Sequence, residues 1–236
     1  MVDGENTPCV AIIIFPGTNC ELDAKHAFEL AGLKTKMMWH SDADLSEVDG
    51  VVIPGGFAHG DYLRTGAIAR FSPIMNAIEK FAKEGKPVLG ICNGFQVLCE
   101  AKLLPGALRK NVGMKFICDE TDLVVVSKNS SLTGDLEIGE VRKIPINHFE
   151  GSYFCSQDTL AELIDNDQIL LRYVDNPNGS LDDIAGICNK QRNVVGLMPH
   201  PERAFEEILG SSDGKEMISS FASAVQKQKK SSAVSV

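Results

Sequence analysis

The 236-residue chain lacks a CxxC pair, lacks an excess of basic residues, and lacks any apolar run near the roughly 18 residues that a membrane-spanning helix needs. Each absence removes a class of function. The seven cysteines, Cys9, Cys20, Cys92, Cys99, Cys118, Cys155 and Cys188, are scattered and odd in number. They suggest neither a zinc site nor a redox motif and fit a reducing cytoplasm, so no metal is expected. A net charge of −9 opposes the counterion release that drives nucleic-acid binding, and the Lys-Gln-Lys-Lys at 227–230 is too short to reverse it. The acidic, polar opening reads as a frayed terminus over 1–8, without the basic and then apolar layout of an export signal. The Asn-x-Ser matches at Asn129 and Asn178 then carry no meaning as glycosylation sites.

What is present is an ordinary globular composition, 44% hydrophobic and 23% charged, in a chain long enough to bury one large core. Apolar runs at 10–15, 35–39 and 51–53 alternate with a helical pattern at 21–31, which is the βαβ rhythm. A second helix at 71–83 stops at Gly85 and Pro87, a short strand follows at 87–91, and 94–102 is helical again. Strands that are apolar throughout imply a sheet covered on both faces. From 114 the pattern changes to β-like runs at 114–118, 123–127, 141–146, 169–174, 184–188 and 194–198, expected as antiparallel additions. Turn-rich loops fall at 129–134 and 175–183, and an amphipathic helix at 215–227. The expected architecture is α/β, a single three-layer αβα domain over 9–228 with a mostly parallel central sheet, followed by a flexible tail over 229–236.

The sharpest local feature is Gly90-Ile91-Cys92-Asn93-Gly94, placed between an apolar strand and a helix. This is the layout of a nucleophile elbow: a tight strand-to-helix turn exposes its central side chain above the sheet, and the flanking glycines remove Cβ atoms that would collide. The positive end of the following helix favours thiolate, the reactive form. Taken alone, a free cysteine is ordinarily a small buried hydrophobe, the reading kept for Cys9, Cys99, Cys118 and Cys188.

A thiol nucleophile needs a base, and the base an acceptor to orient it. The strand at 194–198 delivers Pro199-His200-Pro201-Glu202, where alternation along an extended segment turns His200 and Glu202 the same way and Pro201 stiffens the pair. Taken alone, a histidine before proline is more often a turn residue or helix-start neighbour, and Glu202 in that setting merely favours the helix N-terminus. Pro54-Gly55-Gly56 at the end of the third strand sits where ligands bind in open α/β sheets, so Gly56 and Asn93 N–H groups are candidate oxyanion donors. A tight turn without a ligand is the alternative. The glycines at 210–214 lack the spacing and final Ser/Thr of a phosphate loop.

With Gly90-x-Cys92-x-Gly94-x-Gln96, Pro54-Gly55-Gly56 and His200-Pro201-Glu202 in this order, the chain resembles the class I glutamine amidotransferases, a flavodoxin-like αβα fold. Five segments, 15–20, 55–64, 92–96, 176–180 and 198–203, resemble more narrowly the glutaminase subunits of phosphoribosylformylglycinamidine synthases. The resemblance implies a Cys92–His200–Glu202 triad, with Gln96 and His148 near bound glutamine. It implies no cofactor in this chain. It also implies a separate synthetase subunit that uses ATP and Mg²⁺, with a small bridging subunit, in purine biosynthesis. Where that family commonly shows Ile-Ala-His-Gly-Glu-Gly-Arg-Phe, this chain has Ile146-Asn147-His148-Phe149-Glu150-Gly151-Ser152-Tyr153, which keeps His148 and Glu150 and loses the small residue and the arginine. Rival readings are a glutaminase serving another synthetase and a regulatory module with Cys92 as a redox-sensitive thiol. The charged, aromatic segment His59 to Arg64 is expected to close the pocket or meet the synthetase.

Overall fold

A computed structural model describes the backbone of residues 7–234 and side chains as far as residue 230. The frayed terminus expected over 1–8 lies, for 1–6, outside the described residues. Eleven strands and five α-helices follow in chain order: β1 (Cys9–Ile14), α1 (Glu21–Leu30), β2 (Lys34–Trp39), β3 (Gly50–Ile53), α2 (Pro73–Lys83), β4 (Val88–Ile91), α3 (Asn93–Glu100), β5 (Ala107–Arg109), β6 (Ile117–Val125), β7 (Val141–His148), β8 (Ser152–Phe154), α4 (Gln157–Asp165), β9 (Ile169–Tyr173), β10 (Ile184–Cys188), β11 (Val194–Leu197) and α5 (Lys215–Val234). Among these residues no helix is long and apolar enough to cross a membrane.

Nine strands form one sheet in the order β2-β1-β3-β4-β11-β10-β9-β6-β7, and β5 pairs with β8 apart from it. Every pairing from β2 through β11 is parallel, and every pairing beyond it is antiparallel. Only β10 and β6 therefore run against the common direction, and the sheet is mostly parallel as expected. Strand β11 corrects the sequence expectation: the run at 194–198 is not an antiparallel addition but a parallel neighbour of β4, with Leu197 opposite Ile91. Its Val-Val-Gly-Leu is buried at every position, as a strand in the middle of a doubly covered sheet must be.

Helices α1 and α5 cover one face, with Phe28 against Phe221 at 5.7 Å between ring centroids. The reversal of strand order at β1 sends the right-handed crossovers of α2 and α3 to the other face. There α3 packs so close to β11 that a Cβ at Gly196 would lie 2.2 Å from the Phe95 ring. Each fully buried Val, Ile or Leu of β1, β3, β4 and β11 contributes about 1.5–3 kcal/mol relative to an exposed one, so the strands that carry the site are anchored in the core.

Four further readings are corrected. The runs at 114–118 and 123–127 both overlap the single strand β6, whose acidic middle looks like a break only because it forms an exposed ribbon with β7. Helix α4 has no counterpart in the apolar pattern because Leu163 is its only buried residue, although the Ser156 cap accepting from Thr159 N–H marks its start. Cys118 is exposed and Cys9 half-buried, not core hydrophobes. Helix α5 continues to Val234 where a flexible tail was expected over 229–236; Lys229 Nζ ties it to the Thr7 carbonyl at 3.1 Å and to Asp49 at 3.5 Å, and 235–236 lie outside the described residues.

Candidate active site

Three chain segments meet at the carboxyl ends of β1, β3, β4 and β11. The first turns on Cys92, whose φ of 52° and ψ of −105° no ordinary residue prefers. Such a conformation costs about 1–3 kcal/mol and survives only where its surroundings over-determine it. Here Cys92 N–H donates to Leu197 O at 2.8 Å and its carbonyl accepts from Gln96 N–H at 3.2 Å. Glycine is required on both sides by close approach: a Cβ at Gly94 would stand 1.9 Å from Ile53 O, and one at Gly90 would stand 2.6 Å from the Gly94 carbonyl carbon.

The second segment is the Gly55-Gly56 turn after β3, clamped by the loop between β1 and α1. Asn19 and Cys20 N–H both donate to Gly55 O at 3.1 Å, and Phe57 N–H donates to Gly17 O at 2.8 Å. These bonds use the neighbours of Gly56 and leave its own N–H without an acceptor among the described residues. Asn93, as first residue of α3, likewise has no carbonyl one turn back to receive its N–H. The Asn93 side chain braces the turn instead, its Oδ1 accepting from Ala58 N–H at 3.1 Å.

The third segment carries His200 and Glu202, both almost fully buried. His200 Nδ1 and Glu202 Oε1 are 2.7 Å apart, while His200 Nε2 has no hydrogen-bond partner. A Cβ at Gly55 would lie 2.7 Å from His200 Cε1, 3.1 Å from Cys20 Sγ and 3.4 Å from Cys92 Cβ, so the imidazole and both sulfur-bearing side chains crowd around one glycine. Burial works against a charged imidazole, but the negative charges of Glu202 and a Cys92 thiolate outweigh it and hold His200 well above the ordinary histidine range. Cys20 Sγ, His200 and Glu202 offer donor atoms within 4.8 Å of one another, the one such group among the described residues. Within that group Glu202 Oε1 is engaged by His200 Nδ1 and Cys20 Sγ by Arg203 Nη2 at 3.2 Å, while His200 Nε2 and Glu202 Oε2 have no partner among the described residues.

Beside Cys92 lies a cavity of about 180 Å³ lined by Gly56, Asp61, Gln96, Asn147, His148 and Glu150, among others. That is below the roughly 300–1,000 Å³ of drug-sized ligand sites, and suits a small amide rather than a nucleotide. A larger cavity of about 560 Å³ lies at the far end of α3; Arg64 lines it, but Cys92, His200, Glu202, Gly56, Asn93, Gln96 and His148 do not. One wall of the smaller cavity is the segment that departs from the family pattern. Asn147 O receives the Cys92 thiol at 3.5 Å and Glu150 O receives Gln96 Nε2 at 2.5 Å, while Gln96 Oε1 accepts from Asn93 Nδ2 at 2.8 Å. Ser152 and Tyr153, in contrast, face the fold: Tyr153 stacks on Phe95 and donates to Pro105 O at 3.0 Å.

Residues that sequence reasoning missed hold this wall. Asn111 is fully buried and uses its whole amide, Nδ2 donating to the carbonyls of Lys115 and His148 at 2.9 and 3.0 Å, and Oδ1 accepting from Gly151 N–H and pairing with His148 Nδ1, each at 3.1 Å. Since that oxygen only accepts, His148 Nδ1 carries the proton and Nε2 a bare lone pair. Burial and the neighbouring His200 push the His148 pKa down to about 4, which keeps the ring neutral. Asn178, in the 176–180 loop, donates to Gly151 O at 3.0 Å. The His59–Arg64 segment curls over the cavity with positive φ at His59, Gly60, Asp61 and Leu63, and Arg64 grips Glu100 of α3 through two 2.6 Å bonds.

Residues 7–226 match the CobB/CobQ-like glutamine amidotransferase domain. The Helicobacter hepaticus phosphoribosylformylglycinamidine synthase subunit PurQ is 57% identical over 89% of this chain and 95% of its own length. The Rubrobacter xylanophilus protein of the same name is 54% identical over 87% and 93%. A chain of the Thermotoga maritima PurLQS structure superposes with a TM-score of 0.86 at 42% identity, covering 92% of this chain and 98% of that one. A Thermotoga maritima glutamine amidotransferase at 16% identity and a TM-score of 0.57 shares the fold, over 94% of each chain.

Proposed function

Because the chain belongs to the CobB/CobQ-like glutamine amidotransferase family, we propose that it is the glutaminase subunit of a phosphoribosylformylglycinamidine synthase, releasing ammonia from glutamine for a partner synthetase in purine biosynthesis. The observation that carries the reading is Cys92, held at a strained elbow with the His200–Glu202 pair at the end of the adjacent parallel strand and a small cavity beside it.

The Cys92 thiolate attacks the carboxamide carbon of glutamine. The unengaged N–H groups of Gly56 and Asn93 receive the oxyanion, and His200 gives its proton to the departing ammonia, leaving a γ-glutamyl thioester. Water, relieved of a proton by His200, then hydrolyses the thioester to glutamate and restores the thiolate. Glu202 fixes the ring and its charge, Gln96 shapes the glutamine pocket together with Asn93, and His148 presents its lone pair to the cavity. Residues 9–228 constitute the catalytic domain. The synthetase supplies ATP and Mg²⁺, a small subunit bridges the two, and the complex works in the cytoplasm. Replacing Cys92 by Ala abolishes glutamine-dependent product formation by the assembled complex while ammonia-dependent synthesis persists; glutamine-dependent turnover by that variant would overturn the reading.

A further inference from the structure

The cavity beside Cys92 has an electrostatic character that the chemistry of amide cleavage does not require. Asp61 and Glu150 both line it, and no lysine or arginine does. Asp61 has one weak partner, Asn93 Nδ2 at 3.5 Å, itself better bonded to Gln96. Its nearest arginine neighbour along the chain, Arg64, is turned away into its pair with Glu100. The same cavity is lined by the buried His148, whose Nε2 is also without a partner. A small cavity with two uncompensated carboxylates and an idle buried acceptor is built to receive a donor-rich cation.

Glutamine carries such a group in its α-ammonium, separated from the carboxamide by a short flexible chain. We propose that Asp61 receives the α-ammonium of the substrate, with Glu150 adding its charge from the opposite wall, so that the protein reads the amino-acid end of glutamine as well as its amide. The inference rests on the proposed glutaminase function. It explains why the loop accepts left-handed backbone at Asp61 itself, with φ of 52°, to aim a carboxylate where it has no counter-charge. Burial and the charge of Glu150 raise the Asp61 pKa to about 6, against the small lowering effect of Asn93, and His148 on the facing strand is neutral in this range. An ammonium binds only the ionised carboxylate, so affinity for glutamine falls as pH drops below about 6.

The test compares glutamine with 4-carbamoylbutanoate, the same molecule without its amino group, by ammonia release from the assembled complex. Asp61→Asn keeps the shape and tolerates positive φ, so its melting temperature at pH 7 is expected at or above that of the parent. Loss of one charged hydrogen bond raises KM for glutamine roughly ten- to hundredfold with kcat unchanged. On 4-carbamoylbutanoate the two proteins have equal kcat/KM, and the rise of KM below about pH 6 disappears in D61N. An unaltered KM for glutamine in D61N, or equal losses on both substrates, overturns the inference alone. A wild-type complex that releases no ammonia from glutamine overturns the proposed function and the inference with it.

Discussion

The two halves of the sheet hold their parts of the site by different means. In the parallel half, Cys92, the Gly55-Gly56 turn and His200 are fixed by backbone: strand ends, glycine contacts below ordinary Cβ distances, and carbonyl bonds from Asn19, Cys20 and Cys92. In the antiparallel half, the two ends of the wall lie in β7 and β8, and the link between them, Phe149 to Gly151, is held chiefly by side chains, the amides of Gln96, Asn111 and Asn178. Backbone held by a sheet has little freedom to drift, whereas a wall hung on amides can be retuned by single substitutions. The proposed reacting groups stand in the first region, and the second supplies one wall of the cavity beside them.

Perturbing each half sharpens that contrast. The largest effect is expected in the parallel half from Glu202→Gln, which removes the charge that lifts the His200 pKa while keeping the shape. Glutamine turnover falls at least about a hundredfold, and its alkaline limb moves to lower pH because the imidazolium is lost earlier, as a pH–rate profile will show; melting temperature changes little. Asn111→Ala should do the reverse. It leaves Gly151 N–H and the His148 carbonyl unpaired in the interior, costing about 2–4 kcal/mol by denaturant unfolding, and raises KM for glutamine more than it lowers kcat. A variant that lost kcat alone would dissolve the distinction between the halves. The smallest effect is expected from Arg64→Ala. Its exposed pair with Glu100 contributes under about 1 kcal/mol, so stability stays near the parent while a pulldown with the synthetase reports whether the 59–64 loop forms part of the contact.

The same division governs what could be read from the chain. Continuous apolar runs and paired glycines announce the parallel strands and the elbow, because those signals are local; Cys92, Gly56, His200 and Glu202 could all be named from motifs of a few residues. The direction of β11 could not, since an apolar run does not state which neighbour it joins. Helix α4 was hidden by having one buried side chain. Asn111 acts on His148 and Gly151 from far along the chain, and Asp61 gains its character from Glu150 across a cavity, relations that no short pattern encodes.

The register that sets Ile91 beside Leu197 has a bearing on how such a protein can change. The proposed nucleophile and base leave the sheet on adjacent parallel strands, so their separation is set by the roughly 4.8 Å spacing of hydrogen-bonded neighbours and not by the length of chain between them. Everything from the end of α3 to the start of β11, including β6, β7 and α4, is in that sense an insertion between two fixed posts. It can lengthen, shorten or exchange its surface for a new partner while the reacting pair keeps its distance.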